Sequence, residues 1–219
     1  MKKLIIIISI FTLAVFSTSC NDELNLEMYL SQIRTVSYYA QGENYTVTVY
    51  GEEREDPFIS DGYVGTLKKI ITVKLDDYKK SLDNASVIVS YGKTEISGKF
   101  DYSPLSGKYL TEIEVDSLPD SEEISVTVKN QGEETPLTLK KFSNNGVIGY
   151  KSALDCVSKS QRNEIRQMLS NNSTVEVRLR LITEGERGYY YVSITDKNSK
   201  TIAYLVDGSS GDILASKEL

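Results

Sequence analysis

The sequence predicts a β-rich α+β fold. It should hold an N-terminal helix, an antiparallel sandwich, and a small closing domain of helices and an antiparallel sheet. Three observations predict this. Apolar and polar residues alternate at period two in short runs across residues 44–142. Residues 147–169 switch to helical spacing. Clusters of Gly, Asn, Asp and Ser then separate four more alternating runs, which end near residue 216.

Residues 1–20 come first. Lys2 and Lys3 precede an apolar or small run over residues 4–16, then Ser17, Thr18, Ser19 and Cys20. As a helix that run is about 20 Å long, too short for a hydrocarbon core of roughly 30 Å. It reads as a cleaved signal peptide, residues 1–19, rather than a spanning anchor. Ser19 directly before Cys20, with polar Asn21, Asp22 and Glu23 after it, resembles the lipobox of bacterial lipoproteins. Ser17 departs from that pattern, since leucine is commonest there. The resemblance implies cleavage before Cys20, a diacylglycerol on its thiol, and acyl chains of the palmitate kind. Two or more such chains hold a protein to a membrane without any spanning helix.

Residues 20–43 follow as the lipidated N-terminus. Leu24, Met28 and Ile33, with Leu26, Leu30 and Ser37, fall at helical spacings, and Val36, Tyr39 and Ala40 continue the stripe. They predict an amphipathic helix over 26–40, ended by Gln41 and Gly42. From Asn44 the period becomes two. Strands are expected at 45–50, 69–75, 87–91, 93–100, 109–115, 124–129 and 137–140, with 51–57 as a charged loop. In its spacing the run 87–141 resembles an immunoglobulin-like sandwich. It lacks the paired cysteines and buried tryptophan of antibody domains, so the resemblance is architectural.

The boundary falls at Phe142 to Gly146, which divides a sandwich-like domain, 44–142, from an α+β domain, 143–219. Ile148, Ala153, Leu154 and Val157 give one helix over 147–157. Ser160 caps another over 161–169, with Ile165, Met168 and Leu169 in line. Strands at 174–183, 189–195, 201–206 and 212–216 close the chain. Tyr190, Tyr191, Val192 and then Val206-Asp207-Gly208 with Gly211-Asp212-Ile213 resemble the closing hairpin of PepSY-type and related cystatin-like domains.

Composition excludes several chemistries. Formal net charge is −6, and loss of residues 1–19 removes two lysines and no acids. An acidic chain of this kind argues against nucleic acid as partner. It also argues against docking on anionic lipid heads, leaving the acyl chains to anchor the protein. Zero histidine excludes Ser-His-Asp and Cys-His hydrolases and removes the commonest zinc or copper ligand. With Cys20 acylated, Cys156 stands alone and reads as a small buried apolar residue.

Several clusters invite chemistry. The acids Glu52, Glu53, Glu55, Asp56 and Asp61 could chelate calcium but lack the spacing of an EF-hand, and read as a solvated loop. Asp207 to Asp212 reads as a tight turn in which Asp207 bonds its own backbone. Glu112 and Glu114 share a strand face, as decoration on the solvent side. Asp155 and Glu164 sit on polar helix faces. Ser158 beside Lys159, and Ser152 beside Lys151, make poor dyads because adjacent helical residues diverge. Tyr189 and Tyr191 point one way and Tyr190 the other, as core plus exposed edge or as a sticky patch.

The expectation is therefore a lipid-anchored protein of the bacterial cell envelope. It would act as a non-catalytic binding or interaction module, with a protein or peptide as candidate partner and modulation of an envelope protein as its candidate role. No catalytic residue, metal ligand or cofactor is assigned, and oligomeric state stays open. The rivals are a histidine-free hydrolase using paired carboxylates and a purely structural spacer.

Overall fold

A computed structural model describes residues 24–57, 59, 61–78, 82–143, 146–171 and 174–219. The expected signal peptide and Cys20 lie outside them, as do Asn144, Asn145, Asn172 and Ser173.

A short 3-10 helix, Leu26–Tyr29, opens the described chain, with the Asn25 side chain accepting from the Glu27 amide at 3.0 Å. Thirteen strands follow: β1 Leu30–Gln41, β2 Tyr45–Glu55, β3 Leu67–Asp77, β4 Ser86–Tyr91, β5 Thr94–Lys99, β6 Asp101–Ser103, β7 Lys108–Glu114, β8 Glu123–Asn130, β9 Glu133–Lys141, β10 Val175–Glu184, β11 Arg187–Asp196, β12 Thr201–Asp207 and β13 Ile213–Glu218. Two helices, α1 Tyr150–Ser160 and α2 Arg162–Asn171, lie between β9 and β10. The fold is β-rich and largely antiparallel, as expected.

All thirteen strands belong to one hydrogen-bonded sheet among the described residues, and β1 is its seam. One edge of β1 pairs with β2 from Gln32 to Gln41. The other edge is shared. Residues Leu30 to Arg34 pair with β10, and Tyr38 and Tyr39 pair with β9. The β1–β10 pairing is parallel, which an all-antiparallel expectation does not contain.

Two expectations are corrected here. Residues 30–41 are a strand, not the body of a helix over 26–40. A register shift between Arg34 and Val36 inserts an extra residue against β2. That shift throws the apolar positions out of period two and imitates the three-and-four spacing of a helix. Pairing on both edges, with the neighbouring β2 on one and the distant β9 and β10 on the other, decides the matter against local periodicity. The charged run 51–57 is likewise strand through Glu55, and Glu52 and Glu55 are buried rather than solvated.

One core lies between β1–β2–β3 and β4–β8–β9, filled by Tyr38, Val47, Val49, Ile71, Val73, Val87, Val126 and Leu139. The sheet curls there until β5 crosses β7, giving a nearly barrel-like form. Gly98 permits the approach, because a Cβ at that position would lie 2.6 Å from Thr111 Oγ1. The second core sets Ala153, Leu154, Val157, Ile165 and Met168 of the helices against Val177, Leu179, Val192, Ile194 and Tyr204 of the closing strands.

Candidate functional site: a cationic cleft at the seam

Strand alternation builds the site. Val49, Ile71 and Val73 turn into the core with no exposure. Their neighbours Tyr50, Thr72 and Lys74 must therefore point to the opposite face. Gln32 and Arg34 from β1, Glu52 and Arg54 from β2, Glu112 from β7 and Arg180 from β10 join them around an open cleft of about 320 Å³. Leu110 and Ser106 complete the wall.

The residues at its base are fixed by a chain of polar contacts. Arg180 Nε donates to Gln32 Oε1 at 2.7 Å, and Gln32 Nε2 donates to Glu52 Oε2 at 2.6 Å. The other Glu52 oxygen accepts from Thr72 Oγ1 at 3.3 Å and lies 3.7 Å from Arg54 Nε. Arg54 Nη2 then reaches Glu112 Oε2 at 2.5 Å. Glu52 is 3% exposed, and these donors compensate the burial of its carboxylate.

The cations are less well matched. Arg34 stacks over the Tyr50 ring at 4.3 Å, and its Nε is buried without a hydrogen-bond partner among the described residues. Burial lowers the Arg34 pKa. Burial, followed by the nearness of Arg34 and Arg178, lowers that of Arg180. Lys74 is lowered by burial first and then by Lys108 and Arg34. Lys108 itself is paired with Asp76 at 2.5 Å. Four cations against two carboxylates leave the cleft positive on a chain whose net charge is −6.

Comparison with known proteins finds no matching family model and no significantly similar curated protein.

The residues singled out in the sequence divide between cleft and surface. Glu112 and Glu114 share a face of β7 as expected, but each meets a different cation, Arg54 and Lys68, the latter at 2.9 Å. The acids of 52–61 do not converge. Glu52 belongs to the cleft, Glu55 accepts the Gly65 amide, Asp56 meets Lys68 at 3.4 Å, and Asp61 accepts the Tyr63 amide at 3.0 Å.

Asp207 forms the expected turn, accepting from the Ser209 amide at 2.7 Å and the Ser210 amide at 3.0 Å. The Ser209 hydroxyl and these amides hold its pKa below the usual carboxylate value. Tyr190 is core and donates to the Ile148 carbonyl at 2.7 Å, while Tyr189 and Tyr191 face the other side half-buried. Glu164 is not mere decoration, since it accepts the Tyr204 hydroxyl at 2.8 Å. Ser158 is buried and turned to the Asp155 carbonyl, whereas Lys159 is exposed and Lys151 pairs with Glu27. Cys156 is half-buried and free, with its sulfur against Gly211.

Sequence reasoning missed the cleft. The available signal was the polar face of 175–184, where Arg178 and Arg180 share the side opposite Val177 and Leu179.

Proposed function

We propose that this chain is an exported, lipid-anchored protein of the bacterial cell envelope, held to the membrane through Cys20, and that it binds rather than catalyses. The lipobox-like residues before Cys20 support the address. The cleft supports binding, and one observation carries that part. The Arg54 guanidinium reaches both of its carboxylates, lying 3.7 Å from Glu52 and 2.5 Å from Glu112. A hydrolase of the paired-carboxylate type needs that position for the scissile bond or a water. Here a fixed cation fills it, which favours recognition over hydrolysis.

In this reading the sandwich-like part, 44–142, and the PepSY-like or cystatin-like part, 143–219, meet at β1, and the cleft draws residues from both. A protein or peptide carrying the recognised group is the natural partner, and modulation of an envelope protein is the natural role. Intact mass with membrane fractionation, comparing wild type with Cys20→Ala, tests the anchor. Wild type is expected in the membrane fraction with added lipid mass, and the variant in the soluble fraction without it. Soluble wild type of unmodified mass would refute the reading.

A further inference from the structure

The charge imbalance of the cleft identifies what it binds. Among the described residues, Arg34, Lys74 and Arg180 form no ion pair, although all three line one concavity. Arg34 lies opposite Glu52 in the β1–β2 ladder. The Glu52 oxygens are nevertheless turned to Gln32, Thr72 and Arg54. Burial disfavours the charge on all three, like-charged neighbours add to this at Lys74 and Arg180, and the attraction of Glu52 and Asp76 offsets it only in part. A ligand bringing negative charge would relieve both costs at once.

The number and shape of the charges narrow its class. Four cations less two carboxylates leave an excess of two positive charges on the lining. The volume, about 320 Å³, lies at the small end of the range for small-molecule pockets. The walls offer little apolar area, chiefly the Tyr50 ring and Leu110. A compact head group fits, whereas a large apolar body does not.

We infer that the cleft binds a compact, doubly charged oxyanion, a phosphomonoester or a dicarboxylate group, held by Arg34, Lys74 and Arg180. Lys74 supplies a mobile point charge. Arg34 supplies a planar donor set, already oriented by its stacking on Tyr50. Arg180 is oriented by Gln32, so its terminal nitrogens approach the ligand from the β10 side. Gln32, Thr72 and Arg54 keep Glu52 turned away from the anion.

This inference rests on reading the protein as a binding module, and the two fail differently: saturable binding that both cleft variants retain overturns the assignment to this cleft and leaves binding standing, whereas no saturable binding counts against both. The test is calorimetric titration of the protein with inorganic phosphate, glycerol 3-phosphate and succinate. Lys74→Met, Arg34→Gln and the exposed control Lys93→Met are titrated alongside. At least one probe should bind saturably at one per chain, and each cleft variant should weaken it about tenfold or more. The control should bind like wild type. Preference for glycerol 3-phosphate or for succinate decides between the two sources of the charge. Thermal melts establish that the variants fold, and two substitutions on different strands guard against one failing. No saturable binding by any probe up to about 10 mM, or binding that both cleft variants retain, overturns the inference.

Discussion

Arg34 and Arg180 stand opposite each other in the parallel β1–β10 ladder. Like charges placed this way oppose strand pairing, by roughly 0.2–1 kcal/mol for directly opposed residues. Arg34 gains from its stacking on Tyr50, by about 2 kcal/mol for a desolvated pair, while burial of its unpartnered Nε costs about 1–3 kcal/mol. Arg34→Gln should therefore leave unfolding free energy nearly unchanged, even as it removes a binding group.

Lys74 is offset only in part, by the nearby charge of Asp76. It meets Lys108 and Arg34 as like charges and forms no ion pair among the described residues. Lys74→Met should raise stability by up to about 1 kcal/mol at low salt, measured by urea unfolding, and the gain should shrink as salt screens the repulsion. The pH dependence has a definite sign. Because the folded-state pKa is lowered, the unfolded chain holds the proton longer. Wild-type stability should therefore rise as pH climbs through that lowered value toward 10.5, and Lys74→Met should lose this rise.

Gly98 lets β5 cross β7 and so closes the curled sheet over its core. A Cβ there would lie 2.6 Å from Thr111 Oγ1 and 3.1 Å from Ile113 Cδ1. Gly98→Val should cost about 1–3 kcal/mol through forced displacement of β7. Leu110 and Glu112 lie on that strand, so anion affinity should fall as well. Denaturant unfolding gives the first effect and calorimetry the second.

Tyr38 is fully buried and donates to the Ser121 carbonyl at 2.7 Å. Burial leads the causes that push its pKa from 10.0 up to about 12. The folded state thus keeps the phenol proton where the unfolded state has lost it. Stability from this group is complete below pH 10 and should be lost as pH rises toward 12. Tyr38→Phe should cost about 1 kcal/mol at neutral pH and make the alkaline decline shallower, as read from melts across that window.

The closing meander was legible because its ladders join consecutive strands. Val175, Val177, Leu179 and Leu181 alternate cleanly, and each turn carries its Gly, Asn or Asp. Residues 30–41 were not. The irregularity at Thr35 broke the alternation, and the partners on the second edge of that strand lie far along the chain in β9 and β10. The cleft was hidden for the same reason. Arg34, Glu52, Lys74, Glu112 and Arg180 sit on five strands, and pairing registers set by non-local contacts bring them together. Read one strand at a time, each is an ordinary polar residue on an outward face.

The most direct measurement is anomalous diffraction from crystals holding selenate, a doubly charged stand-in for the inferred group. A selenium peak is expected within hydrogen-bond reach of Lys74 Nζ and the Arg34 guanidinium, and it should be lost in Lys74→Met crystals. Peaks confined to exposed surface lysines, with the cleft empty at saturating selenate, would contradict the inference.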